Sequence, residues 1–155
     1  MLVEKTLVII KPDAVQRSLV GKITKKFEDK GLKISGMKMI QLDEKILTDH
    51  YSHLKDKPFF KGIVNFMSST PVIVLALEGK EAVTVVRQMA GPTNGREATP
   101  GTIRGDYSVS IQSNVIHASE SVEAAKAELK RFFKKEEIFE YNKMDSNTIY
   151  SSDEK

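Results

Sequence analysis

The residues best suited to chemistry lie in one stretch, Asn114-Val115-Ile116-His117-Ala118-Ser119-Glu120-Ser121. An imidazole closes a short β-branched run, and a Ser/Glu-rich segment opening an amphipathic helix follows at once. The spacing therefore predicts that His117 sits rigidly at a strand-to-helix junction. An imidazole of ordinary pKa, roughly 6.5, is mostly neutral at pH 7, so one ring nitrogen keeps a lone pair while a neighbour holds the other. Such a ring can attack phosphorus. Alone, a histidine beside an apolar run is more often structural than catalytic, and the rest of the chain has to decide. Phosphoryl transfer also needs several positive donors for the oxygens and a metal to offset charge. Lys11, Arg87, Arg104, Thr93 and Asn114 have side chains for the donor role. Each has a bland reading too: Arg87 as a helix C-terminal charge, Thr93 as a turn residue, Asn114 as a turn into a strand. They matter only if the fold brings them together.

The elements that must position these residues are legible in outline. Thr6-Leu7-Val8-Ile9-Ile10 reads as a buried strand that Lys11-Pro12-Asp13 stops, leaving the lysine at its end. Leu19, Ile23 and Phe27 recur at spacing four, predicting a helix over residues 18–30 ended by Gly31. Residues 33–42 alternate loosely as a second strand, and Asp43 caps a polar helix to about Leu54 that carries His50, Tyr51 and His53. Lys57-Pro58-Phe59-Phe60 makes a bend before a short helix over residues 60–69. Residues 72–77 are apolar on both faces and predict a central strand. Gly79 is expected to separate that strand from a helix over 80–89. Residues 90–105 combine four glycines, two prolines and two arginines in a long irregular segment, a form that is usually functional. The strand 114–117 and a helix over 120–134 follow, the latter with Val122, Ala125, Leu129, Phe132 and Phe133 on one face. From about Asn142 the tail turns polar and is expected to wrap or fray. The order of strands and helices predicts one domain over residues 1–155 with a ferredoxin-like α/β sandwich, an antiparallel sheet covered by helices.

Composition narrows the chemistry. With 40% hydrophobic and 29% charged residues the chain has the balance of a soluble globular protein. The longest apolar run, residues 72–77, is far short of the roughly 18 residues of a spanning helix, so no membrane partner is expected. Met1-Leu2-Val3-Glu4-Lys5 lacks the pattern of a signal peptide, and a cytoplasmic location is expected. The chain contains no cysteine, which excludes thiolate metal sites and thiol nucleophiles. A net charge of +3 suits a small phosphorylated ligand, while the basic residues are scattered among acids and do not indicate nucleic acid. The chain has no Gly-x-x-x-x-Gly-Lys-Ser/Thr, no Gly-x-Gly-x-x-Gly and no Gly-x-Ser-x-Gly, so P-loop, dinucleotide-fold, protein-kinase and serine-hydrolase readings fall away. His50-x-x-His53 is the one metal-like spacing; without cysteine or a clear third ligand it reads as surface polarity, and no protein metal ligand is expected. A binding module remains an alternative, but the Lys/Arg-Gly-Phe/Tyr pattern of RNA-binding sheets is absent.

Several motifs together resemble the nucleoside diphosphate kinases. Asn114-Val115-Ile116-His117-Ala118-Ser119-Glu120 is similar to that family's Asn-x-x-His-Gly/Ala-Ser-Asp signature. Thr6-Leu7-Val8-Ile9-Ile10-Lys11-Pro12-Asp13-Ala14-Val15 resembles its opening strand, and Lys57-Pro58-Phe59-Phe60 its Arg/Lys-Pro-Phe-Phe bend. Pro100-Gly101-Thr102-Ile103-Arg104-Gly105-Asp106 also matches, and the likeness runs in order over about residues 3–142. The resemblance implies a ferredoxin-like sandwich. It also implies transfer of the γ-phosphate of a nucleoside triphosphate to a histidine and then to a nucleoside diphosphate, with Mg2+ held mainly by the nucleotide phosphates. By the same resemblance His117 is phosphorylated on Nδ1, Glu128 orients its ring and Ser119 stands beside it. Lys11 and Asn114 match residues that hold the ribose hydroxyls, Lys11 lying near the transferred phosphate as well. Tyr51, Arg87, Thr93 and Arg104 match the phosphate-binding set, and Phe59 matches the aromatic on which the base stacks. Stacking tolerates every base, which implies broad nucleotide specificity. A homo-oligomer is implied, a hexamer favoured and a tetramer possible. The chain departs from the pattern at Glu120, where Asp is usual, at Gly95, where many members have proline, and at Thr148-Ile149-Tyr150, where Trp-Ile-Tyr is usual. A scaffold that had lost activity would be expected to lose the histidine or its phosphate ligands, and all of them are present.

Overall fold

Thr6 to Ile10 is continuously apolar apart from its threonine because the strand it belongs to is covered on both faces. The computed structural model describes residues 3–154; Met1 and Leu2 of the N-terminal pentapeptide and Lys155 of the C-terminal extension lie outside the described residues. Strand β1 (Val3–Ile10) sends Leu7 and Ile9 into one apolar cluster and Val8 and Ile10 into another, as the two-residue period of a strand requires. A short helix α1 (Pro12–Gln16) and α2 (Val20–Asp29) follow, then β2 (Lys33–Ile40), α3 (Glu44–His50), α4 (Phe60–Met67) and β3 (Val72–Lys80). The chain continues through α5 (Ala82–Ala90), α6 (Ile103–Tyr107), β4 (Ile116–Ala118), α7 (Val122–Phe132) and α8 (Ser146–Ile149). The sheet order is β2-β3-β1-β4 with every neighbouring pair antiparallel, which is the ferredoxin-like arrangement expected.

Ile23 and Phe27 of α2 and Ala82 and Val86 of α5 pack on the Val8/Ile10 face, with Ile73, Leu75 and Leu77 of β3. Leu47 of α3, Met67 of α4, and Leu129 and Phe132 of α7 pack on the Leu7/Ile9 face, with Val72, Val74 and Ala76. Asp43 caps α3 by accepting from the Ile46 N–H at 2.8 Å, and Ser121 caps α7 by accepting from that of Ala124 at 3.0 Å. Each such cap is worth about 1 kcal/mol.

Several boundaries differ from expectation. Pro12 ends β1 but also opens α1, since its missing N–H is one that the first turn of a helix leaves unpaired. α2 begins at Val20, and the helix after Asp43 closes at His50, residues 52–54 forming a separate 3-10 turn. Gly79 lies inside β3, where a Cβ would come within 2.8 Å of Leu32; the turn into α5 is made by Glu81, at φ +50°. The segment 90–105 holds a 3-10 turn at Gly95–Glu97 and the start of α6, capped by Thr102. Asn114 and Val115 precede β4 rather than belonging to it, because Val115 takes φ +66° and breaks the extended run. In the tail, Ile149 packs over Gly31, and the Tyr150 hydroxyl accepts from the Lys80 N–H at 3.1 Å.

Candidate active site

His117 pairs with Ile9 across the β1–β4 ladder, so its side chain projects to the same face as Ile9, the one covered by α3 and α7. That register carries the ring to Glu128 on α7. A carboxylate only accepts, so His117 Nε2–H donates to Glu128 Oε1, at 2.9 Å. The neutral ring then keeps its lone pair on Nδ1, which has no hydrogen-bond partner among the described residues. The second oxygen of Glu128 accepts from Ser119 Oγ at 2.5 Å, and Ser119 is itself anchored by the Leu7 N–H at 3.2 Å. Burial pushes the Glu128 carboxyl up, but the hydrogen bond and charge of His117 and the hydroxyl of Ser119 outweigh it and hold it below the ordinary range. The carboxylate is thus fixed as an anion facing the ring.

The other wall of the site is cationic. Lys11, at the end of β1, donates to Asn114 Oδ1 at 2.6 Å. Burial first, and the Arg104 guanidinium next, bring its ammonium down to about 8. Arg104 donates to three backbone carbonyls, Asn114 at 3.3 Å, Gly91 at 2.9 Å and Ile116 at 2.8 Å, and so ties the Gly/Pro-rich loop to β4. Three of its five N–H groups are used, leaving two for a ligand. Burial and the neighbouring Arg87 lower it to about 10. Asn114 Nδ2 donates to the carbonyls of Thr93 and Ile111, so the loop and the strand entrance are one unit. Between Asn114 and His117 the backbone is strained: Val115 is β-branched at positive φ, its N–H donates to Asp13 Oδ2 at 3.1 Å, and its carbonyl accepts from the Lys11 N–H at 2.8 Å. These two bonds hold the turn that aims the histidine.

A cleft of about 600 Å³ is lined by Lys11, Tyr51, Arg87, Thr93, Arg104 and Asn114, with His117 and Glu128 at its floor. Eight of the ten residues singled out in the sequence therefore meet in one place. Ser119 is buried behind Glu128, and Phe59 stands at the N-cap of α4, 53% exposed and outside the cleft lining. Burial, with Glu128 adding to it, holds the Tyr51 phenol up and un-ionised. No carboxylate pairs with Arg87 or Arg104 among the described residues, so the wall is suited to an anion.

The reading of His50 as surface polarity is overturned. Its ring is 7% exposed and meets the His117 ring at 4.6 Å and 80°. His53, its partner in the spacing, is exposed at the cleft mouth. The reason is helical phase: α3 ends at His50, whose face points into the fold, and Ser52 and His53, in the 3-10 turn that follows, are exposed. Asp13 and Glu120, which also lines the cleft, were not singled out for the site. Asp13 carried a signal in its place directly after Lys11-Pro12, at the end of a strand.

A cationic cleft facing a carboxylate-held imidazole, on a ferredoxin-like sheet, is a site suited to phosphorylated ligands. The sequence model of the family described as nucleoside diphosphate kinase matches residues 4–138. The chain is 58% identical over 151 residues to a nucleoside diphosphate kinase of Parabacteroides distasonis, covering 97% of this chain and 99% of the relative. It is 55% identical over 141 residues to one of Pyrococcus horikoshii, covering 89% and 90%. The fold is similar to the solved structure of a halophilic nucleoside diphosphate kinase from Halobacterium salinarum in complex with CDP, with a TM-score of 0.94 and 41% identity over 97% of this chain and 100% of that one. The chain belongs to the nucleoside diphosphate kinase family. Among the described residues, no helix is long and apolar enough to cross a membrane.

Proposed function

We propose that this protein transfers the γ-phosphate of a nucleoside triphosphate to a nucleoside diphosphate in two steps, through a phosphohistidine on His117. The observation that carries the reading is the His117–Glu128 hydrogen bond at 2.9 Å, which leaves Nδ1 free beside Lys11, Arg87 and Arg104. In the first step the Nδ1 lone pair forms a bond to Pγ, and the bond from Pγ to the bridging oxygen breaks, so that the nucleoside diphosphate leaves with that oxygen. Nε2–H stays on the ring and donates to Glu128 throughout, and the carboxylate offsets the positive charge that develops on the imidazole. In the second step a terminal oxygen of another nucleoside diphosphate attacks the phosphorus, the N–P bond breaks and the lone pair returns to Nδ1.

Lys11, Tyr51, Arg87, Thr93 and Arg104 hold phosphate oxygens, and Lys11 and Asn114 hold the ribose. Their convergence supports these roles. Ser119 acts through Glu128, which it bonds at 2.5 Å. Phe59, exposed and apolar, offers a face for any base and supports broad specificity. Mg2+ enters with the substrate. A hard cation prefers several oxygen ligands, yet among the described residues the only carboxylates lining the cleft are Glu120 and Glu128, and both Glu128 oxygens are already bonded. The phosphates supply the oxygens instead.

Incubation with γ-labelled ATP and Mg2+ tests the reading. Acid-labile, base-stable label is expected on His117, and it should leave as new triphosphate when diphosphates of several bases are added. His117→Ala, folded as judged by circular dichroism, should take up no label, and chelation of Mg2+ should stop labelling. ATP binding without label on His117 would overturn the two-step mechanism. Label that only one diphosphate could remove would overturn broad specificity.

A further inference from the structure

The histidine beside the nucleophile is held by a side-chain pair that the proposed phosphotransfer does not itself use. Arg131, on α7, donates from Nη1 to His50 Nδ1 at 3.1 Å, and from Nε to Asp49 Oδ2 at 2.6 Å. Its planar fork thus spans two neighbouring residues of α3, and the Asp49 carboxylate fixes which way it faces. Arg131 follows Glu128 by one helical turn, so one face of α7 carries Glu128 to His117 and Arg131 to His50.

An arginine only donates, so His50 Nδ1 must be an acceptor, and a neutral ring then bears its proton on Nε2. That Nε2–H is buried and has no hydrogen-bond partner among the described residues. The ring is enclosed by Tyr51, His117 and Phe132, each at nearly a right angle, with centroids 4.6, 4.6 and 5.1 Å away. An unpaired buried donor is uncommon and calls for a reason. His50, His117 and Glu128 also bring potential ligand atoms within 4.8 Å of one another, the spacing of a metal cluster. The donors and acceptors argue otherwise: His50 Nδ1 is occupied by Arg131, its Nε2 carries the proton, and Glu128 is engaged by His117 and Ser119.

We infer that Asp49 and Arg131 form a clamp that fixes His50 in its Nε2–H form, making Arg131 and His50 positioning residues for the nucleophile His117. Without the fork, the His50 ring can turn over or move its proton to Nδ1. Either change would take away the acceptor that Arg131 bonds and alter the edge of the ring packed against His117. A protonated His50 would compete with His117 for Glu128. The charged and titratable groups facing His50 are Arg131 and Glu128 from α7, His117 from β4, and Tyr51 and His53 from its own segment; burial first, then His117, hold it neutral at about 3. The clamp is thus concerned with the tautomer and orientation of a neutral ring.

This inference rests on the phosphohistidine reading for its kinetic part, and its spectroscopic part stands apart from that reading. In 15N-labelled protein, His50 Nδ1 should report as a lone-pair nitrogen and Nε2 as a proton-bearing one. In Arg131→Met, which keeps the apolar stem, the two signals should move toward mixed tautomers. Single-turnover labelling of His117 by Mg2+-ATP should slow about five- to tenfold, the equivalent of one hydrogen bond's net worth, with ATP affinity within about twofold of wild type. Asp49→Ala, at an exposed position, should shift both readouts the same way by less. Wild-type His50 signals and a wild-type labelling rate in Arg131→Met would overturn the clamp. A wild-type protein that takes up no label would instead overturn the phosphohistidine reading, while the nitrogen signals would still test the clamp.

Discussion

Lys11 is the residue whose protonation should be felt in both stability and rate. Burial, then Arg104, lower its pKa from 10.5 to about 8 in the folded protein. Below pH 8 the folded and unfolded chains both carry the charge, and folding bears the full cost of burying it. Between about 8 and 10.5 the folded chain gives up the proton first, so Lys11 makes stability rise with pH across that window. Activity has the opposite sign, because the neutral amine no longer attracts phosphate. The kcat/KM for Mg2+-nucleotide, which reports the free enzyme, should fall above about pH 8 as one proton is lost, and Lys11→Arg should lack that limb. A wild-type profile flat to pH 9.5 would contradict this role for Lys11.

At the scale of the element, the loop from Ala90 to α6 acts as part of the site because Arg104 is bonded through it. Gly105 makes that loop possible: a Cβ there would lie 2.0 Å from the Thr99 carbonyl oxygen and 2.7 Å from Thr102 Oγ1, the atom that caps α6. Only a residue without a side chain lets the two backbone segments approach so closely. Gly105→Ala should therefore lower stability by about 1–3 kcal/mol, measured by urea unfolding, and slow His117 labelling by moving Arg104 off the carbonyls of Gly91 and Ile116. Unchanged unfolding together with unchanged labelling would mean that the loop adapts without cost. The strained turn at Val115 has the same logic. Asp13 and Lys11 bond its two ends, and the direction of His117 follows from a turn that a free chain would avoid.

For the whole molecule, the surface bears on assembly. β2 is an edge strand, and Met37 and Met39, on one side of it, are 50% and 59% exposed. Val109 and Ile111 project from the loop before β4 and are also exposed. Apolar side chains on a free edge are a liability that proteins usually cover. Together with the family resemblance, this leads us to expect a homo-oligomer by light scattering, a hexamer favoured and a tetramer possible. A monomer at micromolar concentration would overturn it. The tail adds to the fold of a single chain, since Tyr150 bonds the end of β3 and Ile149 packs over Gly31.

The local chemistry of the chain was enough to mark the buried strands, the helix after Asp43, a helix over about 120–134, and six of the residues that converge on the cleft; Tyr51 and Glu128 came only from the family resemblance. Apolar periods, caps and motif spacing are properties of neighbouring residues, and they survive reading along a line. His50 was misread because its helix ends with it, and burial depends on which face meets the sheet. Pro12 looked like a stop, since a strand and a helix compete for the same residues and only packing of α1 decides between them. The Arg131–Asp49 link joins positions 82 residues apart, and no spacing within either helix announces it. The Ile9–His117 register is of the same kind. Types of side chain are written in the sequence, but the face on which each one stands is set by strand pairing and helix docking, and that choice turned a histidine, a glutamate and three cations into one site.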